Sequence, residues 1–169
     1  MRATPTAVSA LAALLLLTAC SDTGDDGKRE STACSLDEVS VEVGPASAAP
    51  AAGDTGEVPV GLTNRGATCT LEGFPEVRLA GPGGSALDLP PTEGATAQKL
   101  TLAEGDSASF GITYVRGPRG DGAFDAETLR VVLPGDPGTS SFRWSYGPVA
   151  SDGEGGHQAS VSAYQQAGD

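Results

Sequence analysis

The chain has 169 residues, 24 of them glycine and 12 proline, with 22 acidic against 10 basic side chains and a formal net charge of −12. That length allows one domain of ordinary size. So negative a surface argues against nucleic-acid binding, which rests on lysines and arginines neutralising phosphates, and against membrane attachment through a basic patch.

Residues 1–19 have the layout of a secretory signal: Arg2 is their one charge, an apolar run extends from Ala7 to Leu17, and no acidic residue occurs. The run is about half the ~20 residues that a spanning helix needs. It ends in Leu17-Thr18-Ala19-Cys20, small residues before a cysteine. This resembles the lipobox of bacterial lipoproteins, in which Cys20 receives diacylglycerol and becomes the mature N-terminus. The expected place is the outer face of the cytoplasmic membrane or the cell envelope, held by the lipid at Cys20, with release to the exterior as a second fate.

Residues 20–33 read as the lipidated cysteine and a flexible acidic tether, with an r.m.s. reach of roughly 20 Å by random-coil scaling. Asp22, Asp25 and Asp26 lack the spacing and closing Glu of a calcium loop. Two cysteines remain beyond Cys20. In an extracytoplasmic compartment the pair Cys34 and Cys69 is expected to be oxidised. The bond closes about 35 residues, which the chain-entropy model values at roughly 3 to 4 kcal/mol. The alternatives are a metal site or two free thiols; tetrahedral zinc needs more ligands than the pair supplies, and His157 is the only other soft ligand.

From Cys34 onward the apolar period is two. Val39, Val41 and Val43 mark a first strand, and Pro45 to Gly56 a loop. Val58, Val60 and Leu62 mark a second strand, where Pro59 points to an edge or a bulge. Asn64-Arg65-Gly66 turns the chain, Asn and Gly both tolerating positive φ. Thr68 to Leu71 is a third strand carrying Cys69. Gly73-Phe74-Pro75 is a corner, with Phe74 a core plug and Pro75 a strand stop. Val77 to Leu79 turns through Gly81-Pro82-Gly83-Gly84 into Ala86 to Leu89. Lys99 to Leu102 and Ser107 to Val115 are expected to form a hairpin around Glu104-Gly105-Asp106, with Phe110, Ile112 and Tyr114 on one face. Thr128 to Leu133 and Ser140 to Trp144 pair across Pro134 to Gly138. A last strand lies in His157 to Tyr164, residues 165–169 form a disordered tail, and Phe124 to Leu129 has room for one helical turn.

Short strands at regular spacing with Gly and Pro turns describe an all-β fold, a sandwich of about seven to nine strands, with a closed barrel as runner-up. Cys34 before an alternating strand, then Val60-Gly61-Leu62-Thr63-Asn64-Arg65-Gly66 and Cys69-Thr70-Leu71-Glu72-Gly73-Phe74-Pro75, resembles the secreted domain-of-unknown-function 4232 family of actinobacterial lipoproteins. Gly105-Asp106 before a strand with Phe110 fits the same layout. The resemblance covers most of Cys34 to Tyr164. It implies a lipid-anchored or secreted immunoglobulin-like β-sandwich of antiparallel strands, residues 34–164, with a disulfide, and it carries over no catalytic residue.

The usual parts of catalysis are missing from the sequence. His157 is the sole histidine and has no neighbouring carboxylate–serine arrangement. No Gly-x-Ser-x-Gly elbow, phosphate loop or Rossmann glycine pattern occurs. Copper carriage loses its ligands because the only Met is Met1. Arg119-Gly120-Asp121 spells an adhesion tripeptide, which chance explains in so glycine-rich a chain. No cofactor, metal or catalytic residue is expected. The expected role is a non-catalytic binding module of the cell envelope with an unknown extracytoplasmic protein or ligand as partner. Phe110, Tyr114, Phe142 and Trp144 fall on strand alternations, where aromatics are more often core; Trp144 with Tyr146, beside a Gly-Pro break, is alternatively an exposed edge and the candidate binding surface. The other readings are an enzyme or enzyme accessory with an unrecognised carboxylate pair, or a purely structural envelope protein.

Overall fold

The computed structural model describes residues 32–120 and 122–167. The expected signal, Cys20, the tether up to Ser31, Asp121 and the last two residues lie outside them. The strands are β1 (Thr32–Ala33), β2 (Val39–Val43), β3 (Thr55–Asn64), β4 (Cys69–Gly73), β5 (Glu76–Ala80), β6 (Ala86–Asp88) and β7 (Gln98–Leu102). They continue as β8 (Ser107–Val115), β9 (Ala123–Phe124), β10 (Thr128–Val132), β11 (Ser140–Arg143), β12 (Val149–Ala150), β13 (Ala159–Val161) and β14 (Gln165–Gln166). Pro82–Gly84 makes a single 3-10 turn.

The first sheet has the order β13-β8-β3-β2, with β14 also on β8; the second runs β11-β10-β5-β6, the third β1-β4-β7, and β12 pairs with β9. Alternation in the sequence decides what each strand buries. In β3 and β8, Val58, Val60 and Leu62 pair in register with Ile112, Phe110 and Ala108. These side chains and Tyr114 meet Leu71, Val77, Leu79, Leu102, Leu129 and Val131 of the second and third sheets in one core. The fold is an all-β sandwich.

Two of its devices lie where the sequence placed them. Cys34 and Cys69 form a disulfide, and both are buried. Pro59 accompanies a bulge: continuing the β2 register would bring Ala46 opposite Glu57, but Ser47 stands there instead, so the outer strand carries an extra residue. The Pro59 carbonyl accepts from the Gly44 N–H at 2.9 Å, and its missing N–H falls beside this irregularity rather than in a regular ladder.

Other expectations are corrected. β7 and β8 do not form a hairpin: β7 pairs with β4 and β8 with β3, so Ala103 to Asp106 carries the chain from one sheet to another. Its turn chemistry is local, the Asp106 carboxylate accepting the Ala103 N–H at 2.9 Å, and the same chemistry serves a hairpin or a crossing. Phe124 is extended in β9, paired with Val149 of β12, where a helical turn was expected. Strand pairing continues past residues 34 and 164. Thr32 and Ala33 run parallel to β4, and Gln165 and Gln166 occupy the stretch of β8 that β13 leaves open. For the C-terminal pair the reason is the nine-residue β8, whose ladder groups beyond β13 need partners.

Asn64 does more than turn the chain. Its side chain is completely buried. Its Nδ2 donates to the carbonyls of Ala67, Leu102 and Ala103 at 2.9, 3.0 and 3.2 Å, and its Oδ1 accepts the Gly66 N–H at 3.0 Å. Its backbone N–H donates to Asp106 O at 2.9 Å, and its carbonyl accepts from Gly105 at 2.8 Å. One residue thus ties the β3–β4 connection to the β7–β8 connection. Gly66 is not among the glycines with positive φ; a Cβ there would lie 2.6 Å from Cδ of Glu38, so close approach is what demands glycine.

Two outcomes follow for stability. Asn64→Ala leaves three carbonyls and an N–H without this partner, and at about 1 kcal/mol per buried hydrogen bond it lowers unfolding free energy by roughly 2 to 4 kcal/mol in urea titrations; an unchanged midpoint would remove Asn64 from this role. Tyr164 is fully buried against Phe110, with ring centroids 5.9 Å apart, and its hydroxyl has no hydrogen-bond partner among the described residues. Burial first, and then the Glu76 charge, push its pKa up. The folded chain therefore holds Tyr164 neutral, while the unfolded chain ionises it near about pH 10. Stability falls as pH rises past that value. Tyr164→Phe abolishes its share of the alkaline loss and does not lower stability at neutral pH; urea midpoints of both proteins from neutral to alkaline pH check this.

Candidate binding groove

β5 reads Glu76-Val77-Arg78-Leu79-Ala80, and alternation sends Val77 and Leu79 inward and Glu76 and Arg78 outward. β10 repeats the pattern, burying Leu129 and Val131 and exposing Arg130. The two strands pair with Arg78 directly opposite Arg130 and Glu76 opposite Val132. On one side, Asp88 of β6 stands opposite Arg78. On the other, Ser141 of β11 stands opposite Arg130, and Arg143 lies diagonally beyond it. Residues directly opposite in an antiparallel pair share a face. The outer face of the second sheet therefore carries three arginines in a chain with only 10 basic residues.

This face floors a half-open groove of about 590 Å³. Arg78, Arg130, Glu76 and Val132 come from the strands, and flanking segments add Phe74, Pro75, Leu89, Pro91 and Thr139. The corner at Gly73-Phe74-Pro75 explains part of the shape. Gly73 has φ of 89°, a left-handed conformation that suits glycine, and there the chain leaves the third sheet for the second. Phe74 is half-buried and lines the groove, so it is not the core plug expected of it; Pro75 takes the buried position instead.

The charges on the face are unevenly matched. Arg78 reaches Asp88 with two nitrogens, Nη2 donating to Oδ2 at 2.8 Å and Nε to Oδ1. The hydrogen bond from Arg78 holds the Asp88 carboxyl below its ordinary pKa. Arg130 has no hydrogen bond or ion pair among the described residues.

Trp144 and Tyr146, the candidate binding surface, are brought together, with Trp144 in the core and Tyr146 partly buried against it. Trp144 is 4% exposed. Its indole N–H donates to the Gly147 carbonyl at 2.7 Å, so the Ser145 to Gly147 turn satisfies the polar end and the whole ring is buried. It packs edge-on to Tyr114 and Tyr146, with centroids 5.2 and 4.9 Å apart. The Tyr114 hydroxyl donates to the Tyr146 carbonyl at 2.9 Å and accepts the Ala49 N–H at 3.2 Å, which holds this end of the sandwich closed. Tyr146 keeps only part of its surface exposed. His157 packs edge-on to Phe124 at 5.6 Å. Among the described residues no three His, Cys, Asp or Glu side chains gather where they could hold a metal ion.

Alternation in β5 and β10 makes Arg78 and Arg130 outward residues from sequence alone. Their meeting was not legible, because it depends on which strands pair and in what register. No curated protein matches the chain. A family model described as a domain of unknown function, DUF4232, matches residues 34–165, the span from the disulfide cysteine Cys34 to the first residue of β14. The chain belongs to that family.

Proposed function

We propose that this protein is a non-catalytic binding module of the cell envelope, anchored through lipid at Cys20, and that the groove on the outer face of the second sheet is its binding surface. The observation that carries the reading is the groove itself. Its volume of about 590 Å³ lies within the roughly 300–1,000 Å³ range of small-ligand sites, and it mixes apolar walls with a few convergent polar groups in the way such sites do. The buried Trp144 cannot serve the part, so the binding surface is placed on Arg78, Arg130, Phe74 and Val132 instead.

The anchor and the compartment rest on the sequence before the described residues. Leu17-Thr18-Ala19-Cys20 has the pattern for lipidation, and the Cys34–Cys69 disulfide fits an oxidising, extracytoplasmic setting. The non-catalytic reading draws on the charges in the groove. A general acid or base works best with a pKa near the working pH, whereas the hydrogen bond from Arg78 shifts Asp88 in the opposite direction.

Two measurements test the reading. Cys20→Ser moves the protein from the membrane fraction to the soluble fraction, and continued membrane retention would defeat the anchor. Val132→Trp fills the groove from an outward position of β10 and removes cell-surface crosslinks that the unaltered protein forms; crosslinks that persist would move the binding surface elsewhere.

A further inference from the structure

We infer that the groove takes a small carboxylate with an apolar body, its head held by Arg130 beside Arg78; the inference rests on the binding surface proposed above. The first ground is the cross-strand pair. Like charges directly opposite on neighbouring strands are destabilising, and Arg78 stands directly opposite Arg130. Asp88 neutralises only one of them. Its two oxygens are both engaged by Arg78, on the side of β5 away from β10. Arg130 is exposed, has no partner among the described residues, and lines the same groove as the Arg78–Asp88 pair. A guanidinium presents a planar fork that matches a carboxylate bidentately. A bound carboxylate at Arg130 would do for it what Asp88 does for Arg78.

The second ground is the rest of the lining. Phe74, Pro75, Leu89, Pro91 and Val132 offer apolar contact around the charged positions, so an anion with a hydrocarbon body is accommodated better than a bare inorganic ion. The Thr139 hydroxyl is a further hydrogen-bonding group in the lining.

The third ground is the charge of the whole molecule. At −12 the chain repels polyanions, and Glu76 in the lining adds to that locally. An anion with one negative charge meets less of this repulsion than a polyanion does and still satisfies Arg130. The occupant is thus a monocarboxylate of small-molecule size rather than an acidic polymer.

Sodium octanoate is the probe, added to the full chain and followed by amide chemical shifts and calorimetry at low salt. Saturable shifts at Phe74, Val132 and Thr139 are expected, with weaker binding of acetate and none of octylammonium. Arg130→Gln is expected to weaken octanoate about tenfold or more, the loss of a charge-assisted hydrogen-bond pair. Lys99→Gln, on the third sheet, is expected to leave it unchanged. Both substitutions are at exposed positions, and an unaltered urea midpoint verifies folding. Octanoate that fails to saturate, or that binds Arg130→Gln as well as the unaltered chain, overturns the carboxylate. If octanoate fails while Val132→Trp still removes the surface crosslinks, the ligand class falls and the binding surface stands. If octanoate fails and those crosslinks persist, both fall.

Discussion

The buried amide of Asn64 is the constraint on which the arrangement of the sheets depends. A side-chain amide offers two N–H donors and a carbonyl acceptor, and here all of them point at backbone in two different connections. One connection leads from β3 in the first sheet to β4 in the third; the other returns from β7 in the third to β8 in the first. Both pass the same point because β3 pairs with β8 and β4 with β7. A sandwich must pass its chain between layers somewhere, and the backbone groups at the crossing lie outside any ladder. Left unpaired in a buried place, each would cost on the order of 1 to 3 kcal/mol. Asn64 satisfies several at once and fixes how the two layers meet.

The disulfide works a few residues further along the same connection. Cys69 is the first residue of β4, and Cys34 follows directly on β1, whose parallel pairing to β4 brings the two cysteines to a Cα–Cα distance of 4.9 Å. β4 then ends at Gly73, and the corner there delivers Phe74 and Pro75 to the groove before β5 begins. The segment from Cys69 to Pro75 is therefore structural along its first part and borders the candidate surface at its end. The opposite connection, around Trp144, Tyr114 and Tyr146, is closed by hydrogen bonds from both polar rings to backbone carbonyls. Aromatic residues sit there because each can bury a ring while its polar tip finds a partner.

Against this frame the arginines of the second sheet are exceptional in placement rather than in number. Other cations have structural work: Arg116 donates to the Ala49 and Pro50 carbonyls, and Lys99 lies 3.4 Å from Glu72 across β4 and β7. Arg78 and Arg130 stand directly opposite each other, and Asp88 is engaged by Arg78 alone. In an acidic molecule, where counter-charges are plentiful, an unmatched guanidinium in a groove is a local departure from the prevailing balance. Departures of this kind concentrate where a protein meets a ligand.

The sequence by itself determined where most strands lie, which face each one buries, which cysteines pair and which family the chain joins. Those properties are local: Val58, Val60 and Leu62, or Leu129 and Val131, alternate by chain geometry whatever stands beside them. Tertiary structure decided the rest. Glu104-Gly105-Asp106 carries turn signals that suit a hairpin or a crossing equally, and the availability of β4 and β3 as partners chose the crossing. Trp144 reads from sequence as core or edge alike, and a carbonyl three residues on lets it be buried whole. Asn64 reads as a turn former, but its amide is buried only because the second connection comes to lie against it. Arg78 and Arg130 were each legible as outward, while their opposition was not, since register is set by the packing of strands far apart in the chain. Alternation is written in neighbouring residues; partnership is settled by which buried faces fit together.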